Sequence, residues 1–137
     1  MKKTLALALA LLMLFSFSAT AADIGGSEIT PMWNYMDSIS YDFTISANSG
    51  TAWITVERNA VVTTKIEASI AIYEQVGSYW ILVDGDYVES AKTVDLEVSI
   101  PTESGKTYKA VFEAIAYSGT NSETFEDTII KTAPSVN

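Results

Sequence analysis

Cysteine and histidine are both missing from this chain. Without cysteine no disulfide can reinforce the fold, so stability must come from burial alone. Without either residue, zinc centres of the usual nitrogen and sulfur type are excluded, as are Ser-His-Asp triads and Cys-His dyads. Paired carboxylates are the only common catalytic machinery left. Basic residues are scarce as well: eight Lys and Arg stand against 17 Asp and Glu, a net charge of −9. Such a surface repels phosphate backbones and anionic headgroups, which argues against nucleic acid and membrane surfaces as partners.

Long apolar runs are also missing, except at the start. There Lys2 and Lys3 precede an apolar run from Leu5 to Phe17, and Ser18-Ala19-Thr20-Ala21 follows with a small-x-small ending. The run has 13 residues, short of the roughly 20 that a membrane-spanning helix needs. This is the pattern of a secretory signal peptide cleaved after Ala21. The predicted organisation is a signal peptide over 1–21, an N-terminal segment over 22–36, one domain over 37–132 and a tail over 133–137. The exported part keeps six of the eight basic residues and all 17 acidic ones, a net charge of −11. A secreted, extracellular protein is expected.

What is present is alternation. "SISYDFTIS" puts Ile39, Tyr41, Phe43 and Ile45 on one face. "TAWITVE" does the same with Ala52, Ile54 and Val56, and "KIEASIAIYE" with Ile66, Ala68, Ile70 and Ile72. "TVDLEVSIP" sets Val94, Leu96, Val98 and Ile100 against Asp95, Glu97 and Ser99. Period two in β-branched and aromatic residues is the signature of half-buried strands. "SGKTYKAVFEAIAYSG" divides between helix and strand by local preference. Its position among strands decides for a long central strand, with Tyr108, Ala110, Phe112, Ala114 and Ala116 facing one way. Turns are predicted at Asn48–Gly50, Gly77-Ser78 and Asp84-Gly85.

About seven strands with short turns fit an all-β, immunoglobulin-like or fibronectin-III-like Greek-key β-sandwich. Tyr108, just after the turn residues "ESGKT", fits the tyrosine corner of such sandwiches. Trp80, in phase with Leu82, is expected to be the core tryptophan.

The stretches "SISYDFTIS" with "NSGTA", "TTKIEASIAIYEQVGSYW" and "SGKTYKAVFEAIAYSGTNSET" resemble a family of short secreted bacterial proteins of the Firmicutes type, whose function is unknown. The resemblance covers most of residues 37–126. It implies an extracellular sandwich module and no particular activity. Members often carry a more basic, Ser- and Lys-rich surface, from which this acidic chain departs.

Two candidate sites follow from the residues. Asp84, Asp86 and Glu89 in "VDGDYVE" offer hard oxygen ligands to Ca²⁺, although Asp-Gly is also a hairpin-turn signal, and the turn is the favoured reading. Trp53 and Tyr79 fall out of phase with the inward residues of their strands, which predicts an aromatic patch on an outer face. The leading expectation is a non-enzymatic binding or adhesion module for glycan or protein, without cofactor. A structural or assembly subunit docking through strand edges comes second, and a carboxylate-based glycosidase a distant third.

Overall fold

The computed structural model describes residues 33–136. The predicted signal peptide and most of the segment after it lie outside them. Seven strands follow in order: β1 (Met36–Ile45), β2 (Ser49–Arg58), β3 (Lys65–Val76), β4 (Tyr79–Ser90), β5 (Val94–Pro101), β6 (Thr107–Ser118) and β7 (Asn121–Thr132). They form two antiparallel sheets, β1-β2-β5 and β4-β3-β6-β7. The chain changes sheet after β2, β4 and β5, so that β6 returns beside β3. This is a Greek-key sandwich with fibronectin-III-like strand order, as the alternation predicts.

The ambiguous stretch is β6, a central strand between β3 and β7. Its inward residues Tyr108, Ala110, Phe112, Ala114 and Ala116 are all buried. Three alanines in that row let the sheets approach closely, while Phe112 and Phe43 fill the space between them. Tyr41 adds its ring against Phe112, at 5.2 Å between centroids. The Tyr108 hydroxyl accepts a hydrogen bond from the Glu103 backbone N–H at 2.9 Å. That closes the turn before β6 in the manner of a tyrosine corner.

Both chain ends of the described region are fastened. The Glu123 carboxylate on β7 accepts from the backbone N–H groups of Asn34 and Tyr35, at 2.9 and 2.8 Å. Trp33 packs edge-on against Phe125. At the other end Ala133 is buried and exchanges backbone hydrogen bonds with Gly105 and Lys106.

β4 departs from the sequence reading in two ways. Asp84-Gly85 is not a turn: both residues lie inside a continuous 12-residue strand. The register runs Ile72 to Asp84 and then Tyr73 to Leu82, so Val83 is an extra residue, a β-bulge. Gly85 is required for a different reason from the one predicted. A Cβ there would sit 2.8 Å from the Ile70 carbonyl oxygen.

The bulge also inverts the phase of the strand's first half. Residues directly opposite in an antiparallel pair share a face. Leu82 pairs with outward Tyr73 and Trp80 with Gln75, so Trp80 and Leu82 lie on the outer face, not in the core. No tryptophan is buried among the described residues; Phe43, Phe112 and Tyr108 are the large core aromatics.

Candidate functional site

The expected patch of Trp53 and Tyr79 does not form. Trp53 is half-buried on the outer face of the three-stranded sheet, between Asp42 of β1 and Glu97 of β5. Tyr79 belongs to the other sheet, where the bulge gives it the parity of the core-facing side. It stands 75% exposed at the β4 edge. Phase within one strand could not show that the two rings belong to different sheets.

Asp84, Asp86 and Glu89 do not converge either. Asp84 and Asp86 pair with inward Ile72 and Ile70, while Glu89 pairs with outward Glu67. Alternation therefore sends the first two carboxylates away from the third. Asp84 and Asp86 each accept from the next residue's backbone N–H, at 2.8 Å. No group of three or more acidic side chains suited to a metal ion exists among the described residues.

What the fold assembles instead is the outer face of the four-stranded sheet, on residues the sequence placed outward without assigning them a role. One row crosses the sheet as Tyr87, Ser69, Glu113 and Glu126; the next crosses as Glu89, Glu67, Ile115 and Thr124. Ser69 is the short side chain in its row. Glu67, Ala68, Ser69, Tyr87, Glu113 and Ile115 thus enclose a recess of about 20 Å³. Ser69 is only 6% exposed, and its hydroxyl has no hydrogen-bond partner. A buried hydroxyl is normally satisfied by protein or solvent, and the recess beside Ser69 has room for about one water-sized group.

The two acids flanking Ser69 differ. Burial alone would raise Glu67, but hydrogen bonds from Lys65 at 2.9 Å and from the Tyr117 hydroxyl at 3.0 Å hold it below the usual carboxylate range. Glu113 makes no ion pair among the described residues. Burial, a hydrogen bond shared with Glu126 and repulsion from Glu126 and Glu67 push its carboxyl up to about 7. Tyr87 donates to Glu89 at 3.2 Å, and burial and the neighbouring carboxylates raise its phenol well above the ordinary range.

Below this polar half the same face turns apolar. Tyr73, Trp80, Leu82, Ala71 and Val111 form a small cluster of their own. Lys109 lies over the rings of Trp80 and Tyr73, at 4.5 and 4.9 Å from their centroids. Burial lowers the Lys109 pKa. A carboxylate-and-hydroxyl recess thus adjoins an aromatic shelf on one sheet face. No protein-family model matches the chain, and no curated protein is significantly similar to it.

Proposed function

We propose that this protein is a secreted, non-enzymatic recognition module that binds glycan or protein through the outer face of β4-β3-β6-β7. The orphan Ser69 hydroxyl, buried between Tyr87 and Glu113 beside the Trp80 shelf, carries this reading. A ligand lying across the face would meet hydrogen-bonding groups at one end and ring surface at the other, the usual composition of a binding site. Glu113 and Glu126 stand directly opposite each other on adjacent strands rather than across a substrate gap, which favours binding over glycoside hydrolysis.

One observation favours assembly as a second reading. β4 is an edge strand, and Tyr79, Ile81 and Val83 on it are exposed. Exposed apolar edges invite strand addition. A second copy paired antiparallel about Ile81 would oppose Tyr79 to Val83 and Trp80 to Leu82. Asp84 and Asp86 would then lie beyond the partner's strand, without like-charge opposition.

One set of variants tests both readings. Trp80→Ala and, at an exposed neighbour, Gln75→Arg should lower binding on glycan and secreted-protein arrays tenfold or more, with circular dichroism unchanged. Trp53→Ala should bind like the parent. If instead Ile81→Lys alone changes behaviour, converting a dimer to a monomer in sedimentation, the assembly reading replaces the recognition reading.

A further inference from the structure

The proposed recognition face has a charge pattern that selects the chemistry of its ligand. Among the described residues, Lys65 pairs with Glu67 and Glu89, Lys106 with Glu74 and Glu103, and Lys131 with Asp42. Lys109 is engaged by the Trp80 and Tyr73 rings. Among the described residues no ion pair reaches Glu113 or Glu126, which face each other across β6 and β7, and Glu113 lines the Ser69 recess.

Resting on that reading of the face, we propose that the recess is a binding site for a primary ammonium group on a slender alkyl stem. Glu113 is its counter-ion and the Ser69 Oγ a second acceptor. At about 20 Å³ the recess admits a group little larger than one water. An –NH₃⁺ head fits and has three donors, and three lining residues carry acceptors for them: Ser69, Glu113 and Glu67. A guanidinium is larger and planar, a quaternary ammonium has no donor, and a sugar ring is too wide to enter. A water molecule would satisfy Ser69 but leave the charge of Glu113 uncompensated. Charge-assisted hydrogen bonds from an ammonium do both. The net charge of −11 outside the predicted signal peptide attracts such a cation over long range.

Two sources carry this head, a free aliphatic amine or a lysine side chain of a partner, and one titration separates them. The purified ¹⁵N-labelled protein is titrated at pH 8 with n-butylammonium, with n-butanol and tetramethylammonium as controls, then with an N-acetylated tri-lysine amide. Saturable amide shifts are expected at Ser69, Tyr87, Glu113 and Ile115 with n-butylammonium and with neither control. Glu113→Gln should weaken binding tenfold or more, and Ser69→Ala about threefold.

Affinity should also fall from pH 8 to pH 5.5 as Glu113 takes up its proton. The other charged or titratable groups facing it are Lys65 and Glu67 from β3, Tyr87 and Glu89 from β4, Tyr117 from β6 and Glu126 from β7. Lys65 and the tyrosines keep their protons throughout that range, and Glu67 stays ionised. Tri-lysine binding tenfold tighter than n-butylammonium identifies a side-chain ligand, and equal affinity identifies a free amine; both uphold the ammonium site. Equal shifts with tetramethylammonium, absence of saturation, or an unchanged Glu113→Gln variant would overturn it. If it falls while Trp80→Ala and Gln75→Arg still abolish array binding, the recognition face stands without the ammonium recess. If those variants also bind like the parent, both readings fall.

Discussion

Among the described residues Glu113 is the acid whose charge the fold resists most. Its folded carboxyl titrates at about 7 instead of near 4.5. A raised acid binds its proton more tightly when folded, so its stabilising contribution is complete below the ordinary value. That contribution is lost as pH rises through about 7. Glu67, held low by Lys65 and Tyr117, works in the opposite sense and only at more acid pH. Between pH 5.5 and 8 the melting temperature should therefore fall. Glu113→Gln should flatten the profile and raise the melting temperature at pH 8. Discounted for partial exposure, the effect is on the order of 1–2 kcal/mol, or several degrees for a domain of this size. A parent profile that rises over this range would remove the basis for an unpaired charge at Glu113. At this scale the core was legible: Phe112, Tyr108 and the row of inward alanines follow from alternation alone. The recess was not. Ser69 and Glu113 lie 44 positions apart in sequence, and only the pairing of β3 with β6 sets them side by side.

The strand that misled the sequence reading is β4, and the cause is one extra residue. Alternation assigns faces correctly only while the ladder keeps its period, and the bulge at Val83 shifts everything before it. Trp80 and Leu82 thereby move to the outer face, where the shelf of the candidate site is built. Asp-Gly, read as a turn, marks instead the point where the β3 backbone comes too close for a side chain. Gly85→Ala is the test of that explanation. Its Cβ would meet the Ile70 carbonyl oxygen at 2.8 Å, a backbone atom that cannot rotate away. The variant should lose about 1–3 kcal/mol in urea unfolding, within the range for forced overpacking. If stability changes by less than about 0.5 kcal/mol, as at ordinary surface positions, the strands can separate freely there. The glycine would then need another explanation.

Across the whole molecule, a charge surplus acts on a fold held by burial alone. Six basic residues face 17 acidic ones outside the predicted signal peptide. The described ion pairs involve only Lys65, Lys106 and Lys131. The lysines in these pairs are 37–40% exposed, and pairs so placed stabilise little. Repulsion among the remaining carboxylates should therefore exceed attraction, and screening it should favour the compact state. Raising NaCl from 10 to 300 mM shortens the screening length from about 30 Å to well under 10 Å. At pH 8 the melting temperature should rise by several degrees, and the rise should shrink towards pH 4.5 as carboxylates neutralise. A fall with salt would mean that the ion pairs outweigh the repulsion. The same screening acts in the opposite direction on a cationic ligand, because it weakens the field that draws the ammonium to Glu113 and slows its association. Stability that rises with salt while ammonium binding falls would assign both effects to one excess of negative charge. If the two move together, the charge surplus and the recess are unrelated, and the ligand is held by contacts other than those of Glu113.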